Sequence, residues 1–256
     1  MQKRYTIQSD IKRAMSSRGF VLGIAGLLLI VLFGSMQSII ETARAAEPLV
    51  YGFHAQFILN ALQSDAFTLA LPILCALPFT TAFIDDMKSG FIKQYLCRSS
   101  RNQYIKGKLT ACALSGGSMI FIGVIVAFVA SYLVFSPMEL ALMEEQIAEP
   151  YFAQLISKAF ILAFSGMFWS LVGFTFAAQT MNRYMAYASP FILYYVLIIL
   201  HERYFDWLYV LYPKEWLFPA KTWVLGDFGI MLFILELTLI VSLWFALIAK
   251  RRLSNV

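Results

Sequence analysis

Residues 85–108 read DDMKSGFIKQYLCRSSRNQYIKGK. This is the longest strongly polar and basic interval of the chain. It sets six cations, Lys88, Lys93, Arg98, Arg101, Lys106 and Lys108, against two acids, Asp85 and Asp86. A long apolar stretch lies on each side of it, 67–84 before and 109–135 after. If those flanks cross a membrane, the interval is a loop exposed on one side, and the rest of the topology follows from which side that is. Composition favours the membrane. Of 256 residues, 60% are hydrophobic and 14% charged, with a mean hydropathy of +0.72, whereas soluble domains carry about 25% charged residues. The expected fold class is all-α and polytopic.

Working outward, a span needs about 20 apolar residues, and six segments qualify: 20–40, 67–84, 109–135, 155–178, 184–200 and 228–249. Pro72 and Pro78 interrupt the second and Pro190 the fifth, each removing a backbone donor and favouring a kink. Small residues recur where helices could approach closely: Gly19, Gly23 and Gly26 at the first span, Ser115 to Ser118 in the third, and Gly166, Ser170, Gly173 and Ala177 in the fourth. Residues 41–66 read as a mixed polar linker and 136–154 as an acidic one. Ahead of the first span, Ile7, Ile11, Ala14 and Met15 form an apolar stripe over 5–18, which predicts an amphipathic helix in the membrane interface. Between the fifth and sixth spans, Tyr204 to Tyr212 is aromatic but too short to cross, and suits an interfacial position. The polar N-terminus, with no small-residue cleavage site after its apolar run, predicts no cleaved signal peptide. The chain reads as one transmembrane domain over 1–256.

Cations mark the inner side of a membrane protein. With both termini inside, Lys3, Arg4, Lys12, Arg13 and Arg18, the six loop cations, Arg183, and Lys250, Arg251 and Arg252 are all inner. These are fifteen of the twenty Lys and Arg residues. Arg44, Lys158, Arg203, Lys214 and Lys221 are outer. The net charge of +5 therefore speaks of orientation in a lipid bilayer, not of nucleic acid. Both ends cytoplasmic, with 85–108 on the same side, is the expected topology.

The search for chemistry returns little. Gly107-Lys108 lacks the upstream glycine and the following Ser or Thr of a phosphate-cradling loop. His201-Glu202 does not continue as HExxH. Cys75, Cys97 and Cys112 show no paired spacing, and His54 and His201 read as ordinary surface histidines, so no metal, catalytic or cofactor site is expected. One acid, Glu236, sits deep in the sixth span. Such a residue is expensive in lipid, and two readings stay open: a contact in a translocation path, or a carboxyl hydrogen-bonded to a neighbouring helix. Lys158 is placed to snorkel.

As one helix, the basic interval carries an apolar stripe at Ile84, Met87, Phe91 and Tyr95, with Leu96 beside Tyr95. Asp85 and Asp86 sit in its first turn, where the helix dipole favours them. Such a stripe suits a groove on another protein.

At this point the chain resembles the permease subunit of an ABC-2 type ATP-binding cassette exporter. The resemblance rests on the six-span plan and on an acidic residue ending span two (Asp85 or Asp86), a glycine (Gly90), a hydrophobic stretch (Phe91 to Leu96), a Ser-Arg pair (Ser100-Arg101) and Gly107-Lys108 entering span three. It departs from the family in Phe91, where threonine is common, and in Arg98-Ser99, where a proline often precedes the Ser-Arg pair. The resemblance implies a cytoplasmic coupling helix and an outer helical hairpin between spans five and six. It also implies two copies each of this permease and of a separate ATPase that binds ATP-Mg, in a bacterial plasma membrane. Met87, Gly90, Phe91, Tyr95 and Leu96 would dock in the ATPase groove, and Asp85, Asp86, Arg98 and Arg101 would make charge contacts at its rim. The chain itself would not be an enzyme. The alternatives are an ion-coupled secondary transporter working through Glu236 and a non-transporting immunity or anchor protein. The aromatic share, with 23 Phe, 13 Tyr and 5 Trp, suits an amphipathic cargo such as a peptide, lipid or hydrophobic drug.

Overall fold

The structure, a computed structural model, describes residues 2–45, 49–97, 100–140, 151–220 and 222–254. Arg98 and the acids Glu144, Glu145 and Glu149 lie outside them. Twelve α-helices run through the described residues: α1 Gln2–Met15, α2 Arg18–Gly34, α3 Met36–Ala45, α4 Phe53–Gln63, α5 Asp65–Ala76, α6 Ala82–Lys88, α7 Phe91–Leu96, α8 Arg101–Phe135, α9 Tyr151–Thr180, α10 Arg183–Arg203, α11 Pro213–Leu217 and α12 Gly226–Ser254. No strand occurs among the described residues; Leu49 and Glu139 form an isolated bridge. At 1.5 Å per residue even α10 spans about 30 Å. Helices α8, α9, α10 and α12 are long and apolar enough to cross a membrane, and the bent pairs α1–α2 and α4–α5 raise the number of candidate spans to six. The architecture is consistent with a polytopic membrane protein.

Helix α9 is the centre of the bundle. Of its most apolar stretch, 78% is buried within the chain, against 22% for α12. It packs on α8, α10, α12 and α5. The small residues explain how. A Cβ on Gly116 of α8 would lie 2.8 Å from the Gly166 carbonyl oxygen of α9, and one on Gly166 would lie 2.9 Å from the Gly116 carbonyl oxygen. The two backbones touch, as small residues at helix crossings permit. Ser170 Oγ donates to Cys112 O across the same contact at 3.2 Å. Gly173, one turn on, turns instead toward Ala186 and Pro190 of α10. The small-residue face of the fourth span thus serves two neighbours. At the far end Ser157 and Lys158 reach Asp227 of α12 at 2.6 and 3.4 Å, so Lys158 is anchored to the neighbouring helix.

Four boundaries differ from the sequence reading. Residues 53–63, expected in a polar linker, form α4, which buries Ala55, Phe57, Ile58, Ala61 and Leu62. Those positions recur at helical spacing, and the signal was masked by the polar residues between them. Ser64 then caps α5, accepting from Phe67 N at 3.3 Å, and the chain bends there by 72°. Second, the expected span 67–84 is not one helix. α5 ends at Ala76, Pro78 lies in the turn that follows, and α6 begins at Ala82. Third, the first span breaks at Ser35 into α2 and α3. Fourth, the outer helical hairpin is replaced by a single turn at Tyr209–Leu211 and the five-residue α11. Pro213 begins α11 and biases Tyr212 before it to extended backbone, so the aromatic run cannot continue as a helix. Trp216 of α11 is fully buried against Trp169 and Phe168 of α9 and Phe233 of α12, closing that end of the bundle.

Candidate functional site

The basic interval does not form one helix. Gly90 takes φ +71°, a left-handed conformation that glycine adopts without penalty, and this turn separates α6 from α7. A Cβ there would meet nothing within 4 Å, so the demand is conformational. The expected stripe is split as a result. Ile84 is buried in the core, Met87 is half-buried, and α7 anchors itself through Ile92, which is 1% exposed. The Tyr95 ring meets the Tyr104 ring edge-on at 5.1 Å and the Phe91 ring at 5.8 Å. Tyr95 and Leu96 are half-buried against the core, whereas Phe91 is 42% exposed at the tip of the elbow. Arg101 opens α8 and is exposed.

The two acids part: Asp86 faces inward, while Asp85 stays partly exposed. Asp86, expected on the rim of a docking surface, is 2% exposed and sits at the hub of a charge cluster. Its Oδ2 receives Lys108 Nζ at 2.8 Å and Tyr104 OH at 3.0 Å, and its Oδ1 receives Arg13 Nη1 at 3.0 Å. Lys108 is fully buried and also donates to Asp10 Oδ1 at 2.7 Å. Its ammonium lies 5.3 Å above the Phe79 ring and 5.4 Å from that of Tyr104. Two acids and two bases balance, which is the condition for burying such groups at all. Asp85, also expected on the rim, accepts from Thr81 Oγ1 at 3.0 Å, and Arg183 approaches its other oxygen to 2.6 Å without hydrogen-bond alignment.

The cluster ties three elements together: α1 through Asp10 and Arg13, α6 through Asp86, and α8 through Tyr104 and Lys108. Gly107 makes room for it, since a Cβ there would stand 3.1 Å from Asp10 Oδ2. At the α1–α2 joint, Ser17 caps α2 by accepting from Phe20 N at 3.1 Å and donates to Pro78 O at 2.9 Å. The turn that precedes α6 is therefore fastened to the same N-terminal elbow. α6 is thus tied to α1 and to the base of α8 through this cluster and packs on α9, and α7 turns away from it at Gly90.

Asp10, Arg13, Tyr104 and Lys108 did not stand out in the sequence as a site. A signal existed. Asp10 falls within the stripe Ile7, Ile11, Ala14, and Lys108 follows Tyr104 and precedes Ala111 at helical spacing, so each charge lies on a face that is otherwise apolar.

Glu236 lies on the outward face of α12, exposed and flanked by the exposed Leu232, Leu235 and Leu239. The packed face of α12 carries Ile230, Ile234 and Thr238. Glu236 therefore lines no interior of this chain, and no helix of this chain supplies it with a hydrogen bond among the described residues. The two histidines are far apart in role. His54 Nδ1 is 2.7 Å from Glu139 Oε1, while His201 stacks on Tyr212 with 4.4 Å between ring centres. Among the described residues no three metal-ligating side chains gather. Comparison with models of known families and with curated proteins finds no match.

Proposed function

We propose that this chain is the membrane-spanning permease subunit of an ABC-2 type exporter, with six spans and both termini cytoplasmic, coupled to a separate ATPase through α6 and α7. The observation that carries the reading is the elbow itself. A short helix pair presents the exposed Phe91 and is locked by the Asp86–Lys108–Asp10–Arg13 cluster to both α1 and α8. A partner that pushes on α7 moves the spans behind it as a rigid body. Binding of ATP to the partner must then favour one arrangement over the other for the motion to have a direction. The buried Asp86 shifts the expected contact surface: Phe91 and the neighbouring exposed polar side chains of α7 carry the docking, with the partly exposed Asp85 at its rim, whereas Asp86 works behind it as a fastening. Two copies of the permease would enclose the path, and the cargo would be an amphipathic peptide, lipid or hydrophobic drug.

The test is affinity capture of the tagged chain from native membranes, with wild type and Phe91→Asp compared. The wild type is expected to bring down an ATPase bearing a phosphate-cradling loop. Phe91→Asp is expected to insert normally but to lose most of that partner and the ATP-driven export. Full capture and export by Phe91→Asp, or capture of no ATPase by the wild type, overturns the reading.

A further inference from the structure

Between Asp227 and Lys250 helix α12 carries a single charged residue, Glu236. Its most apolar stretch is 22% buried, the least of the four long helices. The packed face holds Ile230, Ile234 and Thr238. The opposite face sets Glu236 among the exposed Leu232, Leu235, Leu239, Leu243 and Leu247. These positions recur every three or four residues and form a stripe about 22 Å long. Among the described residues nothing hydrogen-bonds or pairs with Glu236. At 1.5 Å per residue it stands about 14 Å along the axis from Asp227 and about 21 Å from Lys250. A glutamate side chain reaches neither end of the helix.

The leucines alone give this face no reason to associate, because lipid tails are as apolar as they are. Glu236 does. Hydrocarbon offers a carboxyl neither donor nor acceptor, so its partner must come from another helix at the same depth. Two copies of one chain in one bilayer share their orientation. A twofold axis along the membrane normal then brings like residues together at like depth. A carboxyl that carries its proton both donates and accepts, so two of them facing each other need no third group. The leucines on either side are self-complementary in the same way and have the spacing of a helix–helix seam. We propose that the outward face of α12 is an interface between two copies of this chain, joined within the membrane by a reciprocal hydrogen bond between the Glu236 carboxyls of the two copies. The pairing rests on the membrane-spanning reading above and names the face that joins its two copies. It needs neither the ATPase nor export.

The experiment uses the full chain in liposomes at a series of protein-to-lipid ratios, with the exposed Cys97 changed to serine and one reporter cysteine added. Oxidation should cross-link Leu239→Cys, on the stripe beside Glu236, in a fraction that falls as lipid is added. Ile192→Cys, exposed on α10, should link far less. Glu236→Leu should weaken the pairing by roughly fivefold or more. Glu236→Gln still donates and accepts and should hold it within about twofold. Both side chains face away from the bundle, so neither variant should shift its thermal transition in tryptophan fluorescence. Pairing as strong in Glu236→Leu as in the wild type overturns the proposal. So does a chain that stays monomeric alone in lipid, a result that assigns Glu236 to a helix of another protein. Equal linking of Leu239→Cys and Ile192→Cys reports random collision and overturns it too. Dimers linked through Ile192→Cys and not Leu239→Cys overturn the α12 interface while leaving the two-copy arrangement standing.

Discussion

Lys108→Met isolates the role of the buried cluster. The substitution keeps most of the side-chain volume and removes the cation that lies 2.7 Å from Asp10 and 2.8 Å from Asp86. Asp10 then loses its hydrogen-bond partner, and Asp86 keeps the Tyr104 hydroxyl and Arg13, whose side chain is 52% exposed and so screened by solvent. Breaking a buried ion pair by deleting one partner costs about 3–5 kcal/mol. The strain should appear as local opening of α6 and α7 away from α1 and α8. At about 1.4 kcal/mol per tenfold, amide hydrogen exchange across 85–97 should accelerate roughly 100- to 4,000-fold, with α9 little changed. Arg13→Ala, at the exposed edge, should cost below about 1 kcal/mol. The triple variant Asp10→Leu, Asp86→Leu, Lys108→Met removes all three buried charges together and should recover most of the lost protection, because apolar replacement of a whole buried cluster is often neutral or stabilising. A Lys108→Met cost below about 1 kcal/mol, or a triple variant no better protected than the single one, would refute the assignment of the cluster as the fastening of the elbow.

Three further outcomes follow from particular contacts. Gly116→Ala forces a methyl to within 2.8 Å of the Gly166 carbonyl oxygen and should lower stability by about 1–3 kcal/mol, read as an earlier thermal transition in tryptophan fluorescence. Gly90→Ala meets no atom but must hold a left-handed backbone, at about 1–2 kcal/mol; Gly90→Asn should recover part of that, measured by exchange across α6 and α7. Ser17→Ala removes the cap of α2 and the bond to Pro78 O, at about 0.5–2 kcal/mol, and should raise proteolytic cleavage near 16–18 ahead of any change in α9.

The long spans were readable because their signal is additive. Around 20 apolar residues announce themselves, and α8, α9, α10 and α12 lie within a few residues of the expected positions apart from the start of α8, which reaches back to Arg101. The paired glycines of α8 and the fourth span were visible too, though not that Gly173 would turn to α10. What hydropathy could not show was any break made by one residue. Ser35, Ser64 and Gly90 each end a helix by capping or by backbone conformation, and none alters the mean apolarity of its surroundings. The site was hidden for a related reason. A charge count treats Asp86 and Lys108 as loop charges, whereas their place on apolar helix faces, with Asp10 brought in from nearly a hundred residues away, is a tertiary fact. Glu236 shows the reverse case: it stood out by depth in the sequence, yet the packing of α12 turns it outward.

The burial of α9 has a consequence for how the chain enters a bilayer. This helix is less apolar than α8 or α12 and carries Ser165, Ser170 and Thr175 among its buried residues. Alone, it would partition into lipid less favourably than either. Its complement is already made when it emerges, since α8 precedes it in synthesis and offers the face around Gly116. Biogenesis of this protein should therefore proceed by retention of α8 at the insertion machinery until α9 arrives, the two leaving as a hairpin around which the later helices assemble.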